Sequence, residues 1–450
     1  MIWTYRAPAL LALLLAIGGL TACGGGGGSS DSSSASATPT LASGSSNVMT
    51  VTVDGSTGTT DSSGDSQGNV NMPYVSVTVC KHGTSDCSTI DHVLVDTGSY
   101  GLRLFASTLS GSDLSALADP NNSSTNVLGE CAVFADGYTW GAVALADVEL
   151  GSETASNVPI QIIDDDGSVS GIPSTAPTSC SNEGGTDVST PAAFYANGVL
   201  GIGVFKQDCG TGCTTSAYYD TYDEHWYYTC ITADSSSSSA CSDTYVATSD
   251  QVTNPVSMLS TDNNGVILQL PSISTSGASS VTGYLAFGIG TESNNYLGSA
   301  KPLTADDDAY ITTTFNGSTL SDSFIDSGSN TFAFDDSSLA TCSDTSDYGS
   351  AITSFYCPSS TQSLSATNQG QNGTTVSTGF SIANAQTLFS SDTWEAANDI
   401  GATLDDTGLT SGSTFDWGLP FFYGRTVYFA LEDDSAGGTT GPYYAYYPAD

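Results

Sequence analysis

The stretch Val93-Leu-Val-Asp-Thr-Gly-Ser99 decides the fold, because it returns later in the chain as Ser323-Phe-Ile-Asp-Ser-Gly-Ser329. In both copies an apolar run leads straight into an acid, a hydroxyl and a glycine. A strand that ends this way carries its carboxylate on a tight loop, where the missing glycine side chain lets another backbone approach closely. The flanks match too. Tyr74-Val-Ser-Val-Thr-Val79 precedes the first copy and Tyr310-Ile-Thr-Thr-Thr-Phe315 the second; Leu102-Arg-Leu-Phe105 and Phe332-Ala-Phe334 follow them. The period is too long for a solenoid, so the repeat implies two similar lobes made by duplication.

Duplication supplies a pair of acids. If a pseudo-two-fold axis brings the loops together, Asp96 and Asp326 face each other, cannot both ionise readily, and share one proton. Such a dyad activates water: one carboxylate takes the proton as water attacks a carbonyl carbon, the other protonates the carbonyl oxygen, and the pair then protonates the leaving amine with the proton taken from water. The titration belongs to the pair, so the two roles stay unassigned.

With these motifs the chain resembles the pepsin-like aspartic proteases, in particular a set of bacterial secreted lipoproteins carrying the same paired loops. The resemblance spans roughly residues 70–450. It implies a mostly β, bilobal fold of two duplicated barrel-like lobes and aspartic endopeptidase activity on polypeptides held in the cleft between them. By the same resemblance, the Thr97 and Ser327 hydroxyls cross-link the loops, Ser99 and Ser329 hydrogen-bond the outer carboxylate oxygens, and Gly98 and Gly328 complete the two turns. Val199-Leu-Gly-Ile-Gly203 and Trp417-Gly-Leu-Pro-Phe421 take the places of the supporting segments beneath the loops. A substrate-covering flap is implied in Val133-Phe-Ala-Asp-Gly-Tyr-Thr-Trp-Gly-Ala-Val143, with its aromatic at Phe134, or at Tyr138 on the hairpin tip. Arg103, seven residues after Asp96, fits a structural ion pair or a carbonyl cross-link rather than a catalytic role. The competing reading is a catalytically inactive binding or surface-interaction module that keeps the cleft.

Beyond the two loops, strand signals dominate: Val48–Val53, Tyr74–Val79, His92–Val95, Val143–Leu150, Val266–Leu270, Tyr284–Phe287, Tyr310–Phe315 and Thr426–Leu431, short β-branched or aromatic runs between turn residues. Helical candidates are confined to Ser107–Leu117 and Ala383–Phe389. The chain of 450 residues divides into a leader (1–22), a Gly/Ser-rich tether (23–47), an N-terminal lobe with the first Asp loop and flap (48–295) and a C-terminal lobe with the second loop (296–450).

Composition excludes some functions. There are 47 acidic against 6 basic residues, a formal charge of −41, so nucleic acids and anionic membrane surfaces are repelled, and the scattered Lys and Arg form no basic footprint. Charged residues make up only 12%, below the usual quarter or so, so the imbalance reflects missing bases. A hydrophobic content of 39% supports a large core and excludes disorder throughout.

Arg6 and the apolar Leu10–Leu20 read as an export signal too short to span a membrane stably. Leu20-Thr-Ala-Cys23 resembles a bacterial lipobox, which implies acylation of Cys23, a lipid anchor in the bilayer and a cell-envelope location, with the outer membrane favoured by Gly24 and either the periplasmic or the outer face open. The other ten cysteines suit an oxidising compartment, and sequence neighbours suggest Cys80–Cys87, Cys131–Cys180, Cys209–Cys213, Cys230–Cys241 and Cys342–Cys357, although sequence alone does not fix connectivity. With no CxxC pair and three histidines, a zinc site is not expected, and nothing calls for a cofactor. Nor is a partner chain required, so a monomer is expected. Gly64-Asp-Ser-Gln-Gly68 matches a nucleophile-elbow pattern without the strand and helix it needs. Asp164–Asp166 and Asp306–Asp308 lack the spacing of an EF-hand loop and read as turns.

Overall fold

Strands β1 (Val48–Val53) and β2 (Pro73–Cys80) show how the sequence sets the sheet. Val75, Val77 and Val79 are buried, Ser76 is exposed and Thr78 intermediate, the period of two that a half-buried strand requires. The computed structural model describes residues 38–55, 69–110, 117, 125–215, 225–231, 240–343, 352–390, 394–404, 409 and 412–447. In β3 (Cys87–Asp96) the alternation gives way to four consecutive buried residues, Val93 to Asp96, and β4 (Tyr100–Phe105) is buried throughout; continuous apolar runs of this kind mark strands covered on both faces.

Of the next four strands, β5 (Asn126–Phe134) forms a hairpin with β6 (Gly137–Leu150), and β6, β7 (Glu153–Ile163) and β8 (Gly198–Ile202) complete a ring. The order β6-β7-β4-β8-β3-β2 closes because β2 pairs back onto β6, Thr78 opposite Glu149. Closure removes the free edges that an open sheet would expose. Two more strands, β9 (Tyr227–Ile231) and β10 (Cys241–Asp243), extend the sheet beyond β5.

On its other side the same sheet continues through β1 into β11 (Gly265–Gln269) and β12 (Val281–Phe287), in the order β1-β12-β11. The chain then builds β13 (Leu303–Thr304), β14 (Ile311–Phe315), β15 (Ser318–Ile325), β16 (Phe332–Ala333), β17 (Gln362–Gln369), β18 (Thr375–Ile382), β19 (Gly401–Ala402) and β20 (Asp416–Trp417). All but β13 form a seven-stranded second sheet, β18-β17-β14-β15-β20-β16-β19. After β21 (Thr426–Ala430), a small hairpin of β22 (Ser435–Ala436) and β23 (Thr439–Thr440) leads to β24 (Tyr443–Tyr446). β21, β24 and β13 add to the large sheet beyond β11, so strands from both sides of residue 295 share it. The protein is thus mostly β, a bilobal arrangement of barrel-like sheets.

The second lobe has an aromatic core. Phe334 stacks on Phe415, Phe415 on Trp417, and Phe315, Phe332 and Phe380 meet them edge-on or tilted. All five disulfides join the cysteines that sequence proximity suggests. The Cys80–Cys87 sulfurs lie beside Glu149 but are tied to each other. Of the two helical candidates, Ala385–Phe389 is a helix capped by the Asn384 side chain. The other yields only a 3₁₀ turn at Ala106–Thr108, with Leu117 non-helical and 111–116 outside the described residues. Short helices at Thr178–Gly184 and Pro191–Phe194 carry no sequence periodicity. The first is fastened through Cys180 to β5, and the second starts on a Thr190 cap. The acidic triplets are turns: Asp164, Asp166 and Asp306 accept hydrogen bonds from backbone N–H groups a few residues on.

Candidate functional site: a paired carboxyl centre

The two Asp loops are built alike. After Asp96 the chain turns back as β4, and β8 inserts between β3 and β4, parallel to the first and antiparallel to the second. After Asp326 it turns back as β16, and β20 inserts between β15 and β16 in the same senses. Each inserted strand must pass very close to the loop above it, which explains a glycine in each. A Cβ on Gly201 would lie 2.6 Å from Tyr100 N, and one on Gly418 2.1 Å from Thr331 O.

Both carboxyls are fully buried and held identically. The Gly98 N–H and the Ser99 hydroxyl donate to the two Asp96 oxygens at 2.8 and 2.5 Å, while the Gly328 N–H and the Ser329 hydroxyl donate to those of Asp326 at 2.7 and 2.7 Å. The loops grip each other beneath. The Thr97 N–H donates to Ser327 Oγ (3.1 Å) and the Ser327 N–H to Thr97 Oγ1 (2.8 Å); in turn the Thr97 hydroxyl donates to Ile325 O (3.4 Å) and the Ser327 hydroxyl to Val95 O (2.7 Å). Serine at 327 makes both bonds that threonine makes at 97.

Each glycine of the motif leaves room for the opposite acid. A Cβ on Gly98 would sit 2.6 Å from Asp326 Cγ, and one on Gly328 2.6 Å from Asp96 Oδ1. The carboxyls lie within hydrogen-bonding reach of one another, and burial pushes both above the ordinary carboxylate range, Asp96 further because Asp326 stands beside it. Two acids this close, out of water, hold one proton between them.

Phe134 and Tyr138 part company. Phe134 ends β5, packs edge-on against Phe194, and with Met72, Val188 and Gly328 of the second Asp loop lines a cavity of about 50 Å³. Tyr138, the second residue of the return strand, turns away: its backbone pairs with Thr186 and Val188, and its ring packs against Gly184. The alternation of β5 and β6 settles this, since residues on a strand face opposite sides in turn. Arg103 lies fully buried between Glu130 (2.6 Å) and Asp208 (3.1 Å), with its guanidinium 5.8 Å over the Phe134 ring. His225 pairs with Asp243 at 3.1 Å, and Tyr443, Tyr444 and Tyr446 fill the core. Cys23 and the 64–68 motif lie outside the described residues.

One residue escaped the sequence reading. Asp416 stands two places before Gly418, where the first lobe has Val199 two before Gly201, and it is fully buried with neither oxygen completing a hydrogen bond. The signal was present: an acid facing an otherwise apolar supporting strand, at the position where its counterpart is valine.

Comparison with known proteins gives one family, described as "Protein of unknown function (DUF3443)", whose profile matches residues 43–446. No curated protein matches the chain.

Proposed function

The chain belongs to the DUF3443 family, whose description assigns no activity, and from the site itself we propose a pepsin-like aspartic endopeptidase anchored to the cell envelope through acylated Cys23. The observation that carries this reading is the pair of buried carboxyls, each held by a Gly N–H and a Ser hydroxyl over the reciprocal Thr97–Ser327 grip. One shared proton equips the pair for both halves of amide hydrolysis. The ionised carboxyl draws a proton from the attacking water; the protonated one donates to the carbonyl oxygen, and the proton taken from water then goes to the leaving amine. The apolar wall of Met72, Phe134, Val188 and Phe194 suits an apolar side chain next to the scissile bond. A cleft that binds polypeptide without cutting it is the second reading, favoured by the small size of that cavity.

Digestion of an unfolded protein by the full-length chain in detergent, scanned over about pH 3–7, tests the proposal. Cleavage should fall at least ~10²-fold in both Asp96→Asn and Asp326→Asn. Equal cleavage by either variant refutes the dyad, and a folded wild type that binds peptide but never cuts it establishes the second reading.

A further inference from the structure

The two loops are symmetric down to the hydroxyls, but the strands beneath them are not. In the first lobe β8 places Val199 opposite Leu94. In the second, β20 places Asp416 opposite Phe324, one residue before the Ile325–Trp417 pair and directly under the Asp326 turn. A carboxyl with no exposure and no completed hydrogen bond is costly, and an apolar residue would fill the position, as it does in the other lobe. The polar groups near it are few. The loop after β15 contributes Asp326 and the Ser329 hydroxyl, and β3, across the dyad, contributes Asp96; β16 offers Phe332 and Ala333. No Lys, Arg or His among the described residues pairs with it. Burial and the two neighbouring acids hold Asp416 protonated well above the usual carboxylate range.

Ser329 is the link. Its side chain interacts with Asp416, and its hydroxyl hydrogen is committed to Asp326 Oδ2 at 2.7 Å, so toward Asp416 the oxygen is left to accept. With Asp416 protonated, its hydroxyl would donate to the Ser329 oxygen while Ser329 donates to Asp326 Oδ2: two hydroxyl dipoles in series, both pointing at one carboxylate. Chains of this kind polarise one another, and donors aimed at a carboxylate favour its ionised form. Ser99, the counterpart of Ser329, has Val199 rather than an acid in its supporting strand.

Building on the dyad reading above, we propose that Asp416 is a positioning residue that breaks the symmetry of the carboxyl pair, so that Asp326 carries the negative charge and Asp96 the shared proton. In that arrangement Asp326 accepts the proton of the attacking water and Asp96 protonates the carbonyl oxygen. Asp416 itself touches neither water nor substrate.

The test reads the carboxyls directly, by ¹³C NMR titration of Asp-labelled full-length protein, with resonances assigned from Asp96→Asn and Asp326→Asn. The wild type should show Asp326 ionising before Asp96. Asp416→Leu, which removes the donor, should raise the first ionisation by about one pH unit and equalise or reverse the order. Asp416→Asn, which keeps an N–H donor and the shape, should restore the wild-type order, and Ser329→Ala should reproduce the Leu effect despite an intact Asp416. An unchanged order in both Asp416→Leu and Ser329→Ala overturns the inference, as does an Asp96-first order in the wild type. If Asp416→Leu does not fold, Ser329→Ala and Asp416→Asn decide alone. Where cleavage is measurable, the acidic limb of kcat/KM should move with the first ionisation, which a merely structural role would not produce. A wild type that titrates as expected but cuts nothing refutes the peptidase reading and leaves the assignment of charge to Asp326 standing.

Discussion

The two lobes hold up the same loop by different physics. The first rests on charge and covalent bonds: four of the five disulfides, and a fully buried Arg103 shared by Glu130 and Asp208, with Tyr227 donating to the latter. The second has one disulfide and an aromatic stack around Phe334, Phe415 and Trp417. The loops above agree in every hydrogen bond named. What the site demands is therefore the loop geometry, and either kind of foundation supplies it; only Asp416 carries the difference between the lobes up to the carboxyls themselves.

The harshest way to break the equivalence is to fill the space between the acids. A Cβ at Gly98 meets the Asp326 carboxyl and one at Gly328 meets that of Asp96. Gly98→Ala and Gly328→Ala should each lower peptide cleavage by at least ~10²-fold, the scale expected when reacting groups are displaced by about 1 Å, while circular dichroism and melting show a folded protein. Substantial activity in one variant alone would mean that only one loop needs close approach, and the symmetric dyad would fail.

The foundations separate under the next substitution pair. Arg103→Met leaves Glu130 and Asp208 buried without their cation and should cost ~3–5 kcal/mol at neutral pH, measured by denaturant unfolding. Phe415→Ala opens a cavity in the aromatic stack and should cost a similar ~3–5 kcal/mol. The pH dependence tells them apart. Acid should recover much of the Arg103→Met loss by neutralising Glu130, which burial already holds above the usual carboxylate range, and should leave the Phe415→Ala loss unchanged. Parallel pH profiles for the two variants would show that the Arg103 cluster acts through packing alone.

Much of this was legible because the determining residues are local. The Asp loops announce themselves through strand residues that run into Asp-Thr-Gly or Asp-Ser-Gly, and the disulfides join near neighbours in sequence. Long-range features were harder to read. Ring closure by β2 on β6 depends on Thr78 and Glu149 meeting, which neither residue's type signals. The β17–β18 hairpin, Gln-Ser-Leu-Ser-Ala-Thr-Asn-Gln against Thr-Val-Ser-Thr-Gly-Phe-Ser-Ile, reads as loop, because its half-exposed faces carry Ser, Thr and Asn in place of β-branched apolar residues. Phe134 and Tyr138 could be distinguished only once the β5–β6 register fixed their faces. Asp416 hid in plain sight: an acid beside Trp417 looks like an exposed strand end until β15 and β16 are seen to flank it.

The smallest expected effect links both lobes to one variable. An acid whose folded pKa lies above its unfolded value keeps, in the folded state, a proton that the unfolded chain has released; the stability this gives is complete below the unfolded value near pH 4 and is lost as pH rises through the folded value. Burial pushes Asp399 up to about 6, and burial with Asp262 nearby pushes Glu153 up to about 8. The dyad, Asp416 and Glu130 move the same way. His92, raised chiefly by its hydrogen bond to Asp54, also loses its contribution as pH rises through its folded value. Asp147 opposes them: despite burial, hydrogen bonds from His82, Gly83 and Asn157 hold it low, so its contribution is lost only as pH falls through its folded value, below the ordinary carboxylate range. Between about pH 8 and pH 4.5 the raised groups therefore prevail, and the melting temperature should climb on acidification by at least ~2–4 °C. Asp399→Asn, which mimics the protonated acid at every pH, should flatten the part of that climb near pH 6. A melting temperature that falls steadily over the same range would mean that these carboxyls ionise in place.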